Sequence, residues 1–164
     1  MRWFLLPVAL LLGASAPPRA TVYVFLAPTC PISQAVTPEL RVLYAQYSAQ
    51  RVAFVGVFDE MTTATEIAAF GRDYQLKFPL KADLGELMAH GMSATITPEA
   101  AVVDKAGTLV YRGRISDLYV RLGVRRTVVL HHELADALAA LTAGRPVAVP
   151  RTEAVGCLIE FSPD

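Results

Sequence analysis

The chain has 164 residues, 54 % of them hydrophobic and 18 % charged, and 15 Lys+Arg balance 15 Asp+Glu. That length fits one domain with a sizeable core, and the apolar fraction excludes a dominantly disordered state. Zero formal net charge argues against sequence-blind binding to nucleic acid or to an anionic membrane surface. Two cysteines, Cys30 and Cys157, are too few for a disulfide scaffold or a four-cysteine zinc site. They suffice for one disulfide, or for a nucleophile and a resolving thiol.

In chain order, the positive start Met1-Arg2, the apolar run Trp3 to Leu12 and the small-residue stretch Ala14-Ser15-Ala16 have the pattern of a secretory signal peptide. The run is shorter than the about 20 apolar residues that a membrane span needs. Pro17, directly after the expected cut, disfavours cleavage there and leaves open a cut elsewhere or an uncleaved anchor. The expected organisation is a signal peptide over 1–16, one domain over 17–145 and an extended tail over 146–164 carrying Cys157. Export to the periplasm or out of the cell implies an oxidising compartment and no membrane contact once the signal is removed.

Thr21 to Ala27 is β-branched and aromatic, which predicts a buried strand ending at Pro28. Val36, Leu40, Val42, Leu43 and Tyr47 recur at helical spacing, so 31–48 is expected to be a helix, kinked by Pro38. Residues 51–59 read as a second buried strand. Thr63 and Glu66 form a capping box that opens a helix running through Tyr74. A short extended piece at 78–82 and a short helix at 84–90, stopped by Gly91, come next. Thr97-Pro98 precedes a strand at 99–104, a turn at 105–107 and a returning strand at 109–114. Residues 115–129 are expected to be a long connection, and 130–143 an amphipathic helix built on Leu130, Leu134, Leu138 and Leu141 and ended by Gly144. Two leading βα units imply a parallel pair with right-handed crossover, and the later hairpin adds antiparallel strands. The expected fold class is α/β, a three-layer α/β/α sandwich with a mixed central sheet.

Cys30 falls between the first strand and the first helix, and Pro31 suits the first helical position, so Cys30 is the expected N-cap. Unpaired N–H groups and the positive dipole end favour a thiolate there, the form that attacks disulfides and peroxides. Cys157 is a candidate partner for Cys30 if the tail folds back; otherwise it is an incidental thiol. Ser33 reads as a polar group at the helix start. The adjacent pair His131 and His132 points about 100° apart on a helix and does not share a metal-binding face. Arg112, Arg114, Arg121, Arg125 and Arg126 place five of the fifteen basic groups within fifteen residues. They read as a solvated loop, as a docking patch for a redox partner, or as a source of a cation beside the Cys30 thiolate.

Phe25-Leu26-Ala27-Pro28-Thr29-Cys30-Pro31, Pro38 eight residues past the cysteine, and Thr97-Pro98 before a strand-turn-strand together resemble the thioredoxin superfamily. More narrowly, the chain is similar to exported redoxin-domain proteins grouped with alkyl hydroperoxide reductase/thiol-specific antioxidant and TlpA-like proteins. The resemblance spans 21 to about 145 and implies a thioredoxin-like fold, a redox role for Cys30, and a cis-proline at Pro98 that binds substrate with Thr97. The tail from Pro150-Arg151-Thr152 to Gly156-Cys157 also resembles the ending of some exported redoxin-domain proteins. The sequence departs from both parent patterns. Ser33 stands where thioredoxins have the second cysteine of C-x-x-C, Thr29 where they have tryptophan, and Val24 where they have a buried acid. Tyr23 and Ala27 stand where peroxiredoxins place a loop proline and a hydroxyl residue.

The leading expectation is an exported thiol–disulfide oxidoreductase or thiol peroxidase, with Cys30 as nucleophile and Cys157 or an external thiol resolving it. Its partners are protein thiols and disulfides or peroxide, and it needs no cofactor or metal. The main alternative is a non-catalytic interaction module locked by a Cys30–Cys157 disulfide. A copper-handling protein, with both thiolates as ligands, is the third.

Overall fold

The structure, a computed structural model, describes residues 16–161. The signal-peptide reading of 1–16 therefore lies, except for Ala16, outside the described residues. Among these, no helix is long and apolar enough to cross a membrane.

Strand β1 (Ala20–Phe25) pairs in parallel with β2 (Val52–Phe58), and β2 in parallel with β3 (Leu80–Ala82). On its other side β1 takes the antiparallel strand β5 (Glu99–Asp104), which turns back into β6 (Leu109–Gly113). The sheet order is β3-β2-β1-β5-β6, a mixed sheet as the sequence predicts. Alternation splits its faces. Val22, Val24, Val52, Phe54, Phe58, Ala100 and Val102 enter the larger core, with Leu40, Phe70, Leu134 and Leu138 from helices. Phe25, Val57 and Ala101 point the other way, to a smaller cluster with Ala89 and Ala94.

The first helix breaks where proline demands it. Segment α1 (Pro31–Ala35) stops at Val36, and α2 (Thr37–Tyr47) restarts with Pro38 in its first turn. Pro38 has no N–H to give the Gln34 carbonyl, and the Thr37 hydroxyl fills that place at 2.8 Å. Helix α3 (Ala64–Asp73) opens on the full capping box of Thr63 and Glu66.

Three local expectations are corrected. Gly91 does not stop the fourth helix: α4 (Leu87–Met92) runs through it, and Ser93, at φ 54°, ends it. Cap position and tertiary packing, rather than the presence of a glycine, set that end. The connection 115–129 contains a hairpin, β7 (Tyr119–Arg121) with β8 (Val124–Arg125). Its short strands have too little alternation to be seen in sequence. Helix α5 is Glu133–Thr142, so Leu130 lies before it and is exposed. The buried Asp117 carboxylate accepts the backbone N–H groups of Leu130 and His131 at 2.8 and 3.1 Å, which holds that segment out of the helix. His132 becomes the N-cap, and its Nδ1 meets Glu39 Oε1 at 2.7 Å.

Candidate active site

Cys30 closes the turn after β1, with extended backbone at φ −83° and ψ 114°, and Pro31 begins α1. The turn is fixed from within. Cys30 N–H reaches the Ala27 carbonyl at 3.1 Å, and Ala27 N–H reaches the Ser33 hydroxyl at 3.2 Å. Gln34 Nε2 donates to the Pro28 carbonyl at 2.8 Å. Ser33 is fully buried and its hydroxyl receives a backbone donor, a positioning contact.

Across from Cys30 stands strand β4 (Ile96–Thr97), and the Thr97–Pro98 peptide is cis. The Cys30 thiol lies 3.2 Å from the Thr97 carbonyl oxygen. Behind this loop sits a buried ion pair that no sequence pattern announced. Glu99 accepts Thr95 N–H at 3.1 Å and faces Arg112 Nε at 3.3 Å. Arg112 also donates to the carbonyls of Met92 and Ser93, tying β6 to the end of α4.

The tail is pinned, not loose. Arg112 N–H donates to the Pro150 carbonyl at 2.9 Å, and Thr152 N–H to the Arg112 carbonyl at 3.0 Å. The Thr152 hydroxyl then accepts Arg114 N–H at 3.1 Å and meets the buried Tyr111 hydroxyl at 2.9 Å. Burial pushes the Tyr111 phenol up to about 12. Gly113 permits this approach: a Cβ there would stand 2.0 Å from the Thr152 hydroxyl oxygen. Farther along, β9 (Cys157–Leu158) pairs antiparallel with β4, Cys157 opposite Thr97. Ile159 N–H donates to the Thr95 carbonyl at 2.9 Å. Gly156 lies against the Thr97 carbonyl, where a Cβ would stand 2.0 Å from its oxygen. Gly113 thus lets the tail lie flush along β6, and Gly156 lets it lie flush along the edge that carries the cis-proline.

This path delivers Cys157 to Cys30, with the sulfur atoms 2.7 Å apart. They are in reach of a disulfide bond of about 2.05 Å. The two thiols are unequal. Burial pushes Cys30 up, but the Cys157 thiol and the N–H groups of Ser33, Cys157 and Ile32 outweigh it, and the net direction is down. For Cys157, burial and its hydrogen bond to Cys30 act together and push it up to about 11. The pair is therefore arranged as an acceptor, Cys30, and a donor, Cys157. Only 1 % of Cys30 is exposed, whereas Cys157 lines a cleft of about 260 Å³. Among the described residues, no group of three His, Cys, Asp or Glu side chains converges as a metal site.

The arginines do not form a single patch. Arg112 faces Glu99, Arg114 bonds Glu133, and Arg126 faces Asp117 at 3.1 Å. Arg121 and Arg125 remain exposed on the β7–β8 hairpin. The staple residues Tyr111, Gly113, Thr152 and Gly156 escape a motif search because each acts only after the tail has folded back. The one signal in sequence is the pairing of Thr152 and Gly156 with the second cysteine.

Comparison with known proteins bears on the family and the fold. A model of the AhpC/TSA family matches residues 15–112, which includes Cys30 and the Thr97–Pro98 edge and stops before the tail. The chain is similar to an uncharacterized conserved protein from Geobacillus kaustophilus, at 27 % identity and a TM-score of 0.77, covering 89 % of this chain and 79 % of that one. A hypothetical protein from Sinorhizobium meliloti 1021 is similar at 23 % identity and a TM-score of 0.78, covering 89 % and 81 %. A secreted Mycobacterium tuberculosis disulfide oxidoreductase homologous to E. coli DsbE is similar at 21 % identity and a TM-score of 0.54, covering 80 % and 86 %. No curated protein matches the chain. The fold is the thioredoxin-like sandwich that the sequence resemblance implies.

Proposed function

This chain belongs to the AhpC/TSA family, and we propose that it is an exported thiol–disulfide oxidoreductase with Cys30 as nucleophile and Cys157 as its resolving thiol. The observation that carries this reading is the 2.7 Å approach of the two sulfur atoms on a tail held by backbone pairing. Family membership supports the general class, thiol oxidoreductases acting on protein thiols or peroxides. In the reduced protein, the Cys30 thiolate attacks a partner disulfide and expels one partner thiolate. Cys157 then loses its proton and attacks Cys30 Sγ. The partner's second thiolate leaves, and the chain holds a Cys30–Cys157 disulfide. The partner has gained two electrons and the chain has lost two. The reverse sequence oxidises a dithiol, and the redox poise of the compartment sets the direction.

Disulfide exchange is favoured over peroxide reduction. Ala27 supplies no hydroxyl near the thiolate, and Arg112 and Arg114 are engaged by Glu99 and Glu133. Location in the periplasm or outside the cell rests on the signal pattern at 1–16 and suits a chain that cycles a disulfide.

The test is a redox titration of the full chain in glutathione buffers, followed by turnover of a disulfide-bearing protein. The expected result is a loss of two hydrogens on oxidation, reversal by reductant, and no turnover in Cys30→Ser. The pinned tail favours one second reading, a permanent bridge in a non-catalytic docking module. A disulfide that forms once and resists reduced glutathione would establish that reading and overturn the enzyme.

A further inference from the structure

The turn that feeds β4 is held by two buried charged side chains. Glu99 on β5 and Arg112 on β6 are diagonal neighbours in the ladder, because Arg112 stands opposite Ala101. Their side chains are 5 % and 16 % exposed. Glu99 Oε1 lies 3.3 Å from Arg112 Nε, and Glu99 Oε2 accepts Thr95 N–H at 3.1 Å. Arg112 Nη1 donates to the Met92 carbonyl at 3.2 Å and to the Ser93 carbonyl. Ser93 sits in the left-handed region at φ 54°, an unfavourable backbone for a residue with a Cβ. The pair thus grips the main chain at Met92, Ser93 and Thr95, directly before β4.

The redox pair hangs on the segment that follows. The Thr95 carbonyl takes Ile159 N–H at 2.9 Å, Ile96 stands opposite Leu158, and Thr97 stands opposite Cys157. The Thr97 carbonyl is 3.2 Å from Cys30 Sγ. Thr95 is therefore held by Glu99 through its N–H and itself holds the tail, just past Cys157, through its carbonyl. Arg112 acts on the tail a second time through its own main chain, giving its N–H to Pro150 and its carbonyl to Thr152. A buried ion pair seldom adds stability over apolar residues of the same volume, since desolvation offsets the attraction. What it adds is direction, with charged donors and acceptors at fixed angles. Neither side chain lines the cleft beside Cys157, so neither touches a partner bound there. Resting on the Cys30–Cys157 redox pair proposed above, we propose that Glu99 and Arg112 are its positioning residues. They fix the turn and the β4 edge so that β9 presents Cys157 Sγ to Cys30 Sγ. Without them both thiols persist, but the effective concentration of one at the other falls.

The experiment equilibrates the full chain with oxidised and reduced glutathione. The two thiols of the chain lose two hydrogens to one oxidised glutathione, which leaves the Cys30–Cys157 disulfide and two reduced glutathiones. Alkylation and intact mass give the equilibrium constant, and thermal unfolding shows which variants are folded at the assay temperature. A loss of global stability alone leaves the constant unchanged while the chain stays folded, so the readout separates positioning from bulk stabilisation. Glu99→Leu combined with Arg112→Met should lower the constant at least about tenfold, since Thr95 N–H loses a charged acceptor. Glu99→Gln, which keeps the shape and an amide oxygen, should lower it about threefold. Arg126→Met should keep the parent's constant, because it breaks an ion pair with Asp117, whose carboxylate holds Leu130 and His131 rather than β4. A parent-like constant in any folded Glu99 variant, or an equal fall in Arg126→Met, overturns the assignment. Should the double variant not fold, Glu99→Gln decides. Failure of the parent chain to form any Cys30–Cys157 disulfide refutes the redox pair itself, a distinct outcome.

Discussion

Replacing Gly156 by alanine probes how the tail presents its cysteine. The new Cβ would stand 2.0 Å from the Thr97 carbonyl oxygen and 2.6 Å from its carbon, both backbone atoms. Ordinary contact begins near 3.4 Å, so the strand must retreat by about 1.4 Å. A shift of that size breaks the two-residue β4–β9 ladder and strains the Ile159 to Thr95 hydrogen bond. At about 1 kcal/mol net for each backbone bond, losing two weakens tail docking by about 2 kcal/mol. That lowers the effective concentration of Cys157 at Cys30 by about 30-fold. The assay is the Cys30–Cys157 equilibrium constant in glutathione buffers, read by alkylation and intact mass. Gly91→Ala is the control, because a Cβ at Gly91 meets nothing within 4 Å. An equilibrium constant in Gly156→Ala equal to that of the parent would refute the reasoning.

Thr152→Val keeps the shape of the staple but removes its acceptor. Arg114 N–H loses its partner, a cost of about 1–3 kcal/mol, and the thermal midpoint should fall by about 2–4 °C per kcal/mol. Ser33→Ala should also destabilise the fold by about 1–3 kcal/mol, since it orphans Ala27 N–H. It should leave the pH midpoint of Cys30 alkylation in place, because the backbone N–H of Ser33 is what faces that sulfur. A moved midpoint would show a proton-transfer role for the hydroxyl. In the reduced protein, Cys30 should alkylate with a midpoint below 9.0 and Cys157 with one near 11. The stability contributed by Cys157 is present below 9.0 and lost as pH rises through about 11. That of Cys30 is present above 9.0 and lost as pH falls through its lowered value. Identical midpoints for the two thiols would contradict the acceptor–donor arrangement.

Local chemistry accounts for much of what could be read from residues alone. The apolar stretches within 21–27 and 51–59 form the strands β1 and β2 because no charged residue interrupts them between Val22 and Phe25 or between Val52 and Phe58. Thr63 and Glu66 capped their helix because a capping box needs only residues three apart. Pro38 had to interrupt a helix because it lacks a donor, and Pro31 had to start one for the same reason. These features make Cys30 the N-cap residue between strand and helix.

Longer-range features were decided by folding. Nothing at 146–164 states that Thr152 will lock onto Tyr111, or that Gly156 will lie against Thr97. Those contacts join residues 41 and 59 positions apart, and they exist only once β6 and β4 present their edges. Cys157 lies 127 residues from Cys30, and no periodicity encodes a meeting across that distance. The same holds for Arg112 and Glu99, whose pairing turned a supposed docking charge into an internal brace. The sequence alone determined which sulfur begins a helix. Only the tertiary structure decided that the second sulfur would cover the first, because strand pairing and close glycine contacts are properties of the assembled edge.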